Sequence, residues 1–294
     1  MRIIALLIAL VLASCEGEAA VPPVGGSPCD GWGVPQVVGR VAAPELTEIS
    51  GLVASRVHPG VLWVHEDSGS GPVLWALDHS GATLATLPLA GVEAVDWEDA
   101  APGPGPGGGY LYVADTGDNG RSRAFSVLYR VPEPAVVAGA LEAGAEALRF
   151  TYPDGPHDVE AMFVDPDTGD AYLIAKAILG PAPVFRVPAA AWGGAGAVAE
   201  RVASLSLGLL PATGADLSAD GRLLALRTYA AVLLFARPAG APITALFEAE
   251  ACPAPAPPEA QGEAIAWDGD DYLTVGEGPA APVYRVSRTN GASG

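Results

Sequence analysis

The sequence predicts an all-β fold, a five-bladed β-propeller closed by an N-terminal strand, and three observations carry that prediction. Helical periodicity is scarce along the 294 residues, which instead offer short runs rich in Val, Leu, Tyr and Phe between Gly, Pro and Asp turns. A two-part pattern recurs five times: a carboxylate opens an apolar segment, and the next segment ends on another charge. The last repeat stops one strand short, while a spare strand lies ahead of the first repeat. Closing the ring with that strand removes an exposed sheet edge.

In chain order, residues 1–14 (MRIIALLIALVLAS) carry one positive charge and an unbroken apolar run too short to span a bilayer as a mature helix, so they read as a signal peptide. Leu12, Ala13, Ser14 and Cys15 resemble a bacterial lipobox, after which Cys15 becomes the acylated N-terminus. Residues 15–35 are rich in Gly, Pro, Ala and Glu, a flexible tether spanning roughly 25 Å. The expected address is therefore the cell envelope, lipid-anchored to its membrane. Glu16, in place of a retaining aspartate, resembles the sorting context for an outer membrane facing the periplasm if the host is Gram-negative.

The propeller occupies residues 36–288 and a polar tail residues 289–294. Residues 35–41 (PQVVGRV) supply the closing strand. First strands open at Glu48 (TEISGLV), Glu98 (DWEDAA), Glu160 (DVEAMFV), Asp216 (GADLSAD) and Glu263 (GEAIAWD). Second strands are GVLWVHE, GYLYVAD, DAYLIAK, GRLLALR and DYLTVGE, closing on Glu66, Asp115, Lys176, Arg227 and Glu277. Third strands follow as PVLWALD, FSVLYRV, APVFRVP, AVLLFAR and APVYRVS, and fourth strands as ATLATLPL, EALRFTY, ERVASLSL and ITALFEAE. Residues 135–147 alone have helical character, weakened by glycine. The 132–156 interval reads as one strand plus an insertion rather than a sixth blade.

Strand-one starts and strand-two ends fall on one face, so the charges form two rings around the channel. The first ring is acidic throughout. In the second, Glu66, Asp115 and Glu277 form an acidic arc and Lys176 and Arg227 a basic one, which predicts a polarised mouth. Glu66, Asp67, Lys176, Arg227 and Glu277 are the candidate ligand-binding residues. Asp67, Asp96, Asp99, Asp118 and Asn119 reinforce the acidic side. Clustered carboxylate and amide oxygens suit Ca²⁺, with candidate ligands Glu48, Glu98, Asp115, Asp118, Asn119, Glu160, Asp216 and Glu263. The competing reading is architectural: carboxylates that cap strand starts or pair with the bases. His65 and His157, beside Glu66 and Glu160, are the candidate general bases.

With 15 Lys and Arg against 34 Asp and Glu, the net charge of −19 argues against a nucleic-acid partner. Cys29 and Cys252 are the cysteines left after lipidation, and an oxidising envelope allows them to pair. No GxSxG, HExxH or P-loop pattern is present.

The segments EISGLVAS, DWEDAA, YLYVADTGDN, HDVEAMFVDP and EAIAWDGDDYLTVGEG resemble those of uncharacterised secreted bacterial β-propeller proteins. These are similar in style to the phytase-like esterase and lactonase-type propeller superfamilies. The resemblance runs over most of residues 45–287 and implies the propeller fold, with channel calcium in some members. Three functions stay open. One is a membrane-tethered module binding a small ligand or an envelope protein at its mouth. Another is a calcium-dependent hydrolase of phosphoesters or lactones. A purely structural envelope protein is the third.

Overall fold

A computed structural model describes residue 28 and residues 30–289. The leader, Cys15, Cys29 and most of the tether lie outside the described residues. Among the described residues, no helix is long and apolar enough to cross a membrane.

Five sheets, each built on four antiparallel strands, form the blades of a propeller, and those of blades one and two carry short parallel additions at the outer edge. Blade one comprises Ile49–Ala54, Val61–Glu66, Val73–Asp78 and Thr83–Ala90. Blade two comprises Trp97–Gly105, Gly108–Asp115, Ser126–Pro132 and Glu146–Thr151. Blade three comprises Val159–Val164, Ala171–Ala175, Ala182–Val187 and Glu200–Leu205. Blade four comprises Ala212–Leu217, Leu223–Thr228, Val232–Ala236 and Cys252–Ala254. Blade five has Gly262–Asp268, Asp271–Gly276 and Pro282–Val286. Its fourth strand is Gln36–Arg40 from the other end of the chain, antiparallel to Pro282–Val286, as the sequence predicts. A bridge between Trp32 and Arg288 extends this closure, and Trp32 packs against Trp267 and Tyr272.

The first strand of each blade touches the first strands of both neighbours, so the five line the central channel. Being covered on both sides, they are buried almost end to end. Each hairpin from first to second strand turns on a glycine with left-handed φ: Gly60, Gly107, Gly169, Gly221 and Gly269. The apolar core is divided into five clusters, one in each gap between adjacent blades. Each fully buried Leu, Val or Phe there contributes about 1.5–3 kcal/mol, so the blades stabilise one another rather than standing alone.

Two segments depart from expectation. ITALFE, expected as the fourth strand of blade four, forms a 3₁₀-helix over Ile243–Glu248. Its buried residues are Ile243, Leu246 and Phe247, which follow helical rather than alternating spacing. The fourth strand is Cys252–Ala254 instead, and Cys252 is disulfide-bonded. Residues 135–147 form no helix. Gly139–Ala140 and Ala143–Gly144 run parallel to the outer strand of blade one and cover its edge.

Candidate metal centre at the channel mouth

All five blades carry the same irregularity: a β-bulge where the first strand begins to pair with the second. The bulged residues are Ser50, Glu98, Glu160, Thr213 and Glu263. A bulge leaves one residue out of the ladder and re-aims its side chain. In blades one and four that residue is a hydroxyl that ties neighbouring blades. Ser50 Oγ donates to the Glu98 carbonyl, and Thr213 Oγ1 donates to the Gly262 carbonyl at 2.8 Å. In blades two, three and five it is a glutamate.

Counting from the strand start therefore places the first ring differently from the bulges. Glu48 lies two residues before the bulge, is exposed, and its backbone N–H donates to Glu66 at 3.1 Å. Asp216 lies three residues beyond the bulge, buried in the wall of the channel. Its carboxylate accepts the Trp267 N–H at 2.8 Å and lies 3.8 Å from Arg56. Burial pushes Asp216 up to about 6, with Arg56 and the Trp267 N–H opposing it.

The glutamates of blades two and three are joined by aspartates two residues upstream, in the repeated D-x-E of Asp96-Trp97-Glu98 and Asp158-Val159-Glu160. Asp67, just past the second strand of blade one, completes the group. Carboxylate oxygens of Asp67, Asp96 and Glu98 lie within 4.8 Å of one another, and so do those of Glu98, Asp158 and Glu160. Space for this comes partly from Gly117, where a Cβ would collide with Glu98 Oε1 and Asp96 Oδ2. Oxygens at such separations fit around one hard cation, whose own ligand distances are about 2.3–2.6 Å.

The electrostatics are those of a site where carboxylates outnumber positive charges, Lys176 being paired with Glu160. Glu98 is 7% exposed, and among the described residues no hydrogen-bond donor meets its carboxylate. Burial first, then Glu160, Asp67 and Asp96, hold it well above the usual carboxylate range. Burial, Asp67 and Asp158 push Asp96 up to about 6. Burial raises Glu160 to about 7 although Lys176 opposes it. Glu263, also 7% exposed and without a donor among the described residues, is pushed up to about 8 by burial, Glu160 and Glu277. By contrast Asp158 accepts the Asp118 N–H at 2.8 Å, and Asp67 accepts the Ser68 N–H at 2.5 Å.

The second ring is also re-registered. Glu66 and Asp115 pair with the residue just before the bulge, a position held in the other blades by Ala175, Thr228 and Gly276. Lys176 and Glu277 lie one residue beyond it, and Arg227 one residue short. Lys176 reaches the mouth, where its ammonium donates to Glu160 and, at 2.8 Å, to the Tyr229 hydroxyl. Arg227 does not reach it: fully buried, it pairs with Glu259 at 2.5 Å and lies against Gly262. Glu277 is half-buried near Glu48, and Glu66 accepts the Thr47 and Glu48 N–H groups. The basic arc thus reduces to Lys176, already paired, and the mouth is acidic nearly all round.

Other candidates are engaged elsewhere. Asp115 binds Arg123 at 2.7 Å and accepts the Val95 and Asp96 N–H groups. Asp118 accepts from Ser122 and Arg123, folding the DTGDNG turn back on itself, and Asn119 is exposed on that turn. His65 is fully buried between blades one and two, its ring edge-on to Trp97 and its Nδ1 2.9 Å from the Glu66 carbonyl. Gly51 makes room for that ring, and burial lowers the imidazole below its ordinary value. His157 packs on Tyr152 and Phe185 and binds Asp154 at 2.8 Å, away from the acid cluster.

Sequence reasoning did not single out Asp158, Tyr229 or Glu259. The repeated D-x-E is the signal that marks Asp158, whereas Tyr229 and Glu259 lie in connecting loops with no periodic signature.

No family model and no curated protein matches the chain. Solved structures do match in fold. The PQQ-bound aldose sugar dehydrogenase of Streptomyces coelicolor aligns over 89% of this chain and 99% of its own, with 13% identity and a TM-score of 0.52. A gluconolactonase of Xanthomonas campestris aligns over 91% and 99%, with 12% identity and a TM-score of 0.44. Raptor of Chaetomium thermophilum aligns over 88% of this chain and 29% of its own, with 11% identity and a TM-score of 0.46. At these identities the likeness is one of fold alone: the chain is a β-propeller.

Proposed function

We propose that this chain is a lipid-anchored envelope propeller that binds a divalent cation, calcium, at its acidic mouth and uses it to hold a small, oxygen-rich, uncharged ligand. Glu98 is the observation that carries the cation. Glu98 is 7% exposed, meets no donor among the described residues and is crowded by other carboxylates, an arrangement that a cation or a proton would relieve. Asp67 and Asp96 stand beside it with oxygens in the spacing of one coordination sphere. The envelope address draws on the leader, Cys15 and the tether.

Charge favours an uncharged ligand. Five carboxylates surround the cation and Lys176 is already paired with Glu160, so one calcium leaves the mouth negative. Arg227, the other base expected to hold an anion, is buried against Glu259. A phosphoester would meet net repulsion, whereas a hydroxyl or lactone carbonyl can complete the coordination sphere.

Hydrolysis of such a carbonyl compound is the second reading, and Glu263 favours it. The group is buried, meets no donor among the described residues, and has Glu160, Glu277 and Lys176 as charged neighbours. Held protonated near neutral pH, it suits proton transfer to a ligand polarised by the cation.

Thermal melts in EGTA and in CaCl₂, with and without neutral sugars, lactones and phosphoesters, test both readings. A calcium-dependent rise, extended by a neutral compound, is expected. No shift with calcium removes the cation, and a further shift with phosphoesters alone removes the uncharged ligand. Turnover of a lactone by the loaded protein selects the hydrolase.

A further inference from the structure

A cavity of about 420 Å³ lies outside the acid cluster, between the connection from blade one to blade two and the outer half of blade two. We infer that it binds a small zwitterion, a free amino acid or a dipeptide with an apolar side chain, whose carboxylate meets Arg149 and whose ammonium meets Glu93. The site is separate from the mouth and does not depend on the cation reading above.

The sheet supplies an apolar floor. Across the two outer strands of blade two, Ala147 lies opposite Tyr129 and Arg149 opposite Val127, so these four side chains share one face. That face lines the cavity. Val95 and Phe125 stand at its walls, 49% and 40% exposed, and so offer apolar surface that the protein itself leaves uncovered. An apolar recess of this volume with a few polar groups at its edge is the form of a small-molecule site.

The polar groups are two opposite charges, and among the described residues neither is paired with another charge. Glu93 comes from the connection, which Tyr129 pins by donating its hydroxyl to the Glu93 carbonyl at 3.0 Å. Arg149 comes from the outer strand, its guanidinium 4.8 Å from the centre of the Phe125 ring. Stacking of this kind fixes the plane of the fork and leaves its N–H edges for a carboxylate. The remaining charges at the cavity, Arg123 and Asp115, satisfy each other at 2.7 Å. The lining is therefore neutral, in a chain whose net charge is −19. An anion would meet Glu93 and the field of the whole protein, and a cation would meet Arg149. A zwitterion complements both walls, and its side chain covers the floor.

The test is titration calorimetry with L-phenylalanine and the dipeptide Ala-Phe, in EGTA and again in CaCl₂. Saturable binding of one zwitterion per chain, equal in the two buffers, is expected, and the tighter of the two probes fixes the length of the ligand. N-acetylphenylalanine, which lacks the ammonium, and phenylalanine amide, which lacks the carboxylate, should each bind about tenfold more weakly. Arg149→Met and Glu93→Gln alter exposed side chains, so Tm should hold while affinity for the zwitterion falls about tenfold. Arg149→Met should also bind phenylalanine and its amide alike, a loss of discrimination that a merely structural role would not produce. No saturable binding of either zwitterion overturns the inference. So do blocked probes that bind as well as the zwitterions, affinity indifferent to both variants, or binding that appears only with calcium, which would place the ligand at the mouth.

Discussion

Glu98 and Asp99 are adjacent carboxylates, both buried, and the structure treats them in opposite ways. Asp99 extends into the channel wall, where one oxygen accepts the Met162 N–H at 2.7 Å and the Ala215 N–H at 2.9 Å, and the other accepts from Ala100 at 2.8 Å. It joins blades two, three and four through backbone donors. Glu98, displaced by the bulge, faces the mouth and meets no donor among the described residues. Burial raises both groups, but three hydrogen bonds oppose it at Asp99, while other carboxylates aggravate it at Glu98. Asp216 follows Asp99, supplied by Trp267 and Arg56. Donors, rather than burial or position in the repeat, separate a carboxylate that holds blades together from the one to which we assign a cation.

The largest effects are expected on the architectural side. Arg227→Met strands Glu259, buried and otherwise met by Thr274 at 3.0 Å, and should cost about 3–5 kcal/mol. In a domain of this size that lowers Tm by roughly 6–20 °C, with calcium affinity unchanged in calorimetry. Retained stability would show that the pair is dispensable. Asp99→Ala orphans three N–H groups and should cost on the order of 3 kcal/mol by denaturant unfolding. Asp99→Asn, which keeps one acceptor oxygen, should cost less.

A pH series sharpens the contrast from the other side. Asp96 near 6, Glu160 near 7 and Glu263 near 8 all lie above ordinary carboxylate values. The native state therefore binds protons more tightly than the unfolded chain. Without metal, stability should rise as pH falls from about 8 toward 4.5 and be lost again as pH rises through that window. Calcium competes with the same protons, so its stabilising effect should grow over the same interval as pH rises. A metal-induced shift independent of pH would contradict carboxylate ligation. The smallest effect is expected of Gly117→Ala, whose Cβ presses on Glu98 and Asp96. Stability should change by about 1 kcal/mol or less while calcium affinity falls by roughly tenfold, since side-chain ends can yield but the coordination geometry cannot.

The propeller was legible because strand alternation, glycine turns and the missing last strand all repeat with the blades. The acid-rich mouth was legible in outline for the same reason: Glu98, Glu160 and Glu263 recur at equivalent positions. The bulge hid the rest. One extra residue shifts the alternation, so Glu48 and Asp216 match the pattern in sequence while Ser50 and Thr213 occupy the equivalent places in space. Arg227 and His65 show a second limit. Each pairs with a glycine, Gly214 and Gly51, and whether such a side chain turns into the gap between blades depends on space left by residues remote in sequence. Glu259, the partner that Arg227 finds, lies in a connecting loop and carries no repeat signal at all.

Calcium-dependent melting at pH 8 of the wild type, Glu98→Gln and Asp99→Asn tests the central distinction most directly. At a hundred times its Kd, one bound ion stabilises by about 2.7 kcal/mol, a rise in Tm of roughly 5–10 °C. Wild type and Asp99→Asn should both show that rise from their own metal-free baselines. Glu98→Gln should show about half that rise or less at the same calcium concentration, while its metal-free Tm stays at or above that of the wild type. An equal calcium shift in all three proteins, or none in the wild type, would contradict the assignment of Glu98 to a cation.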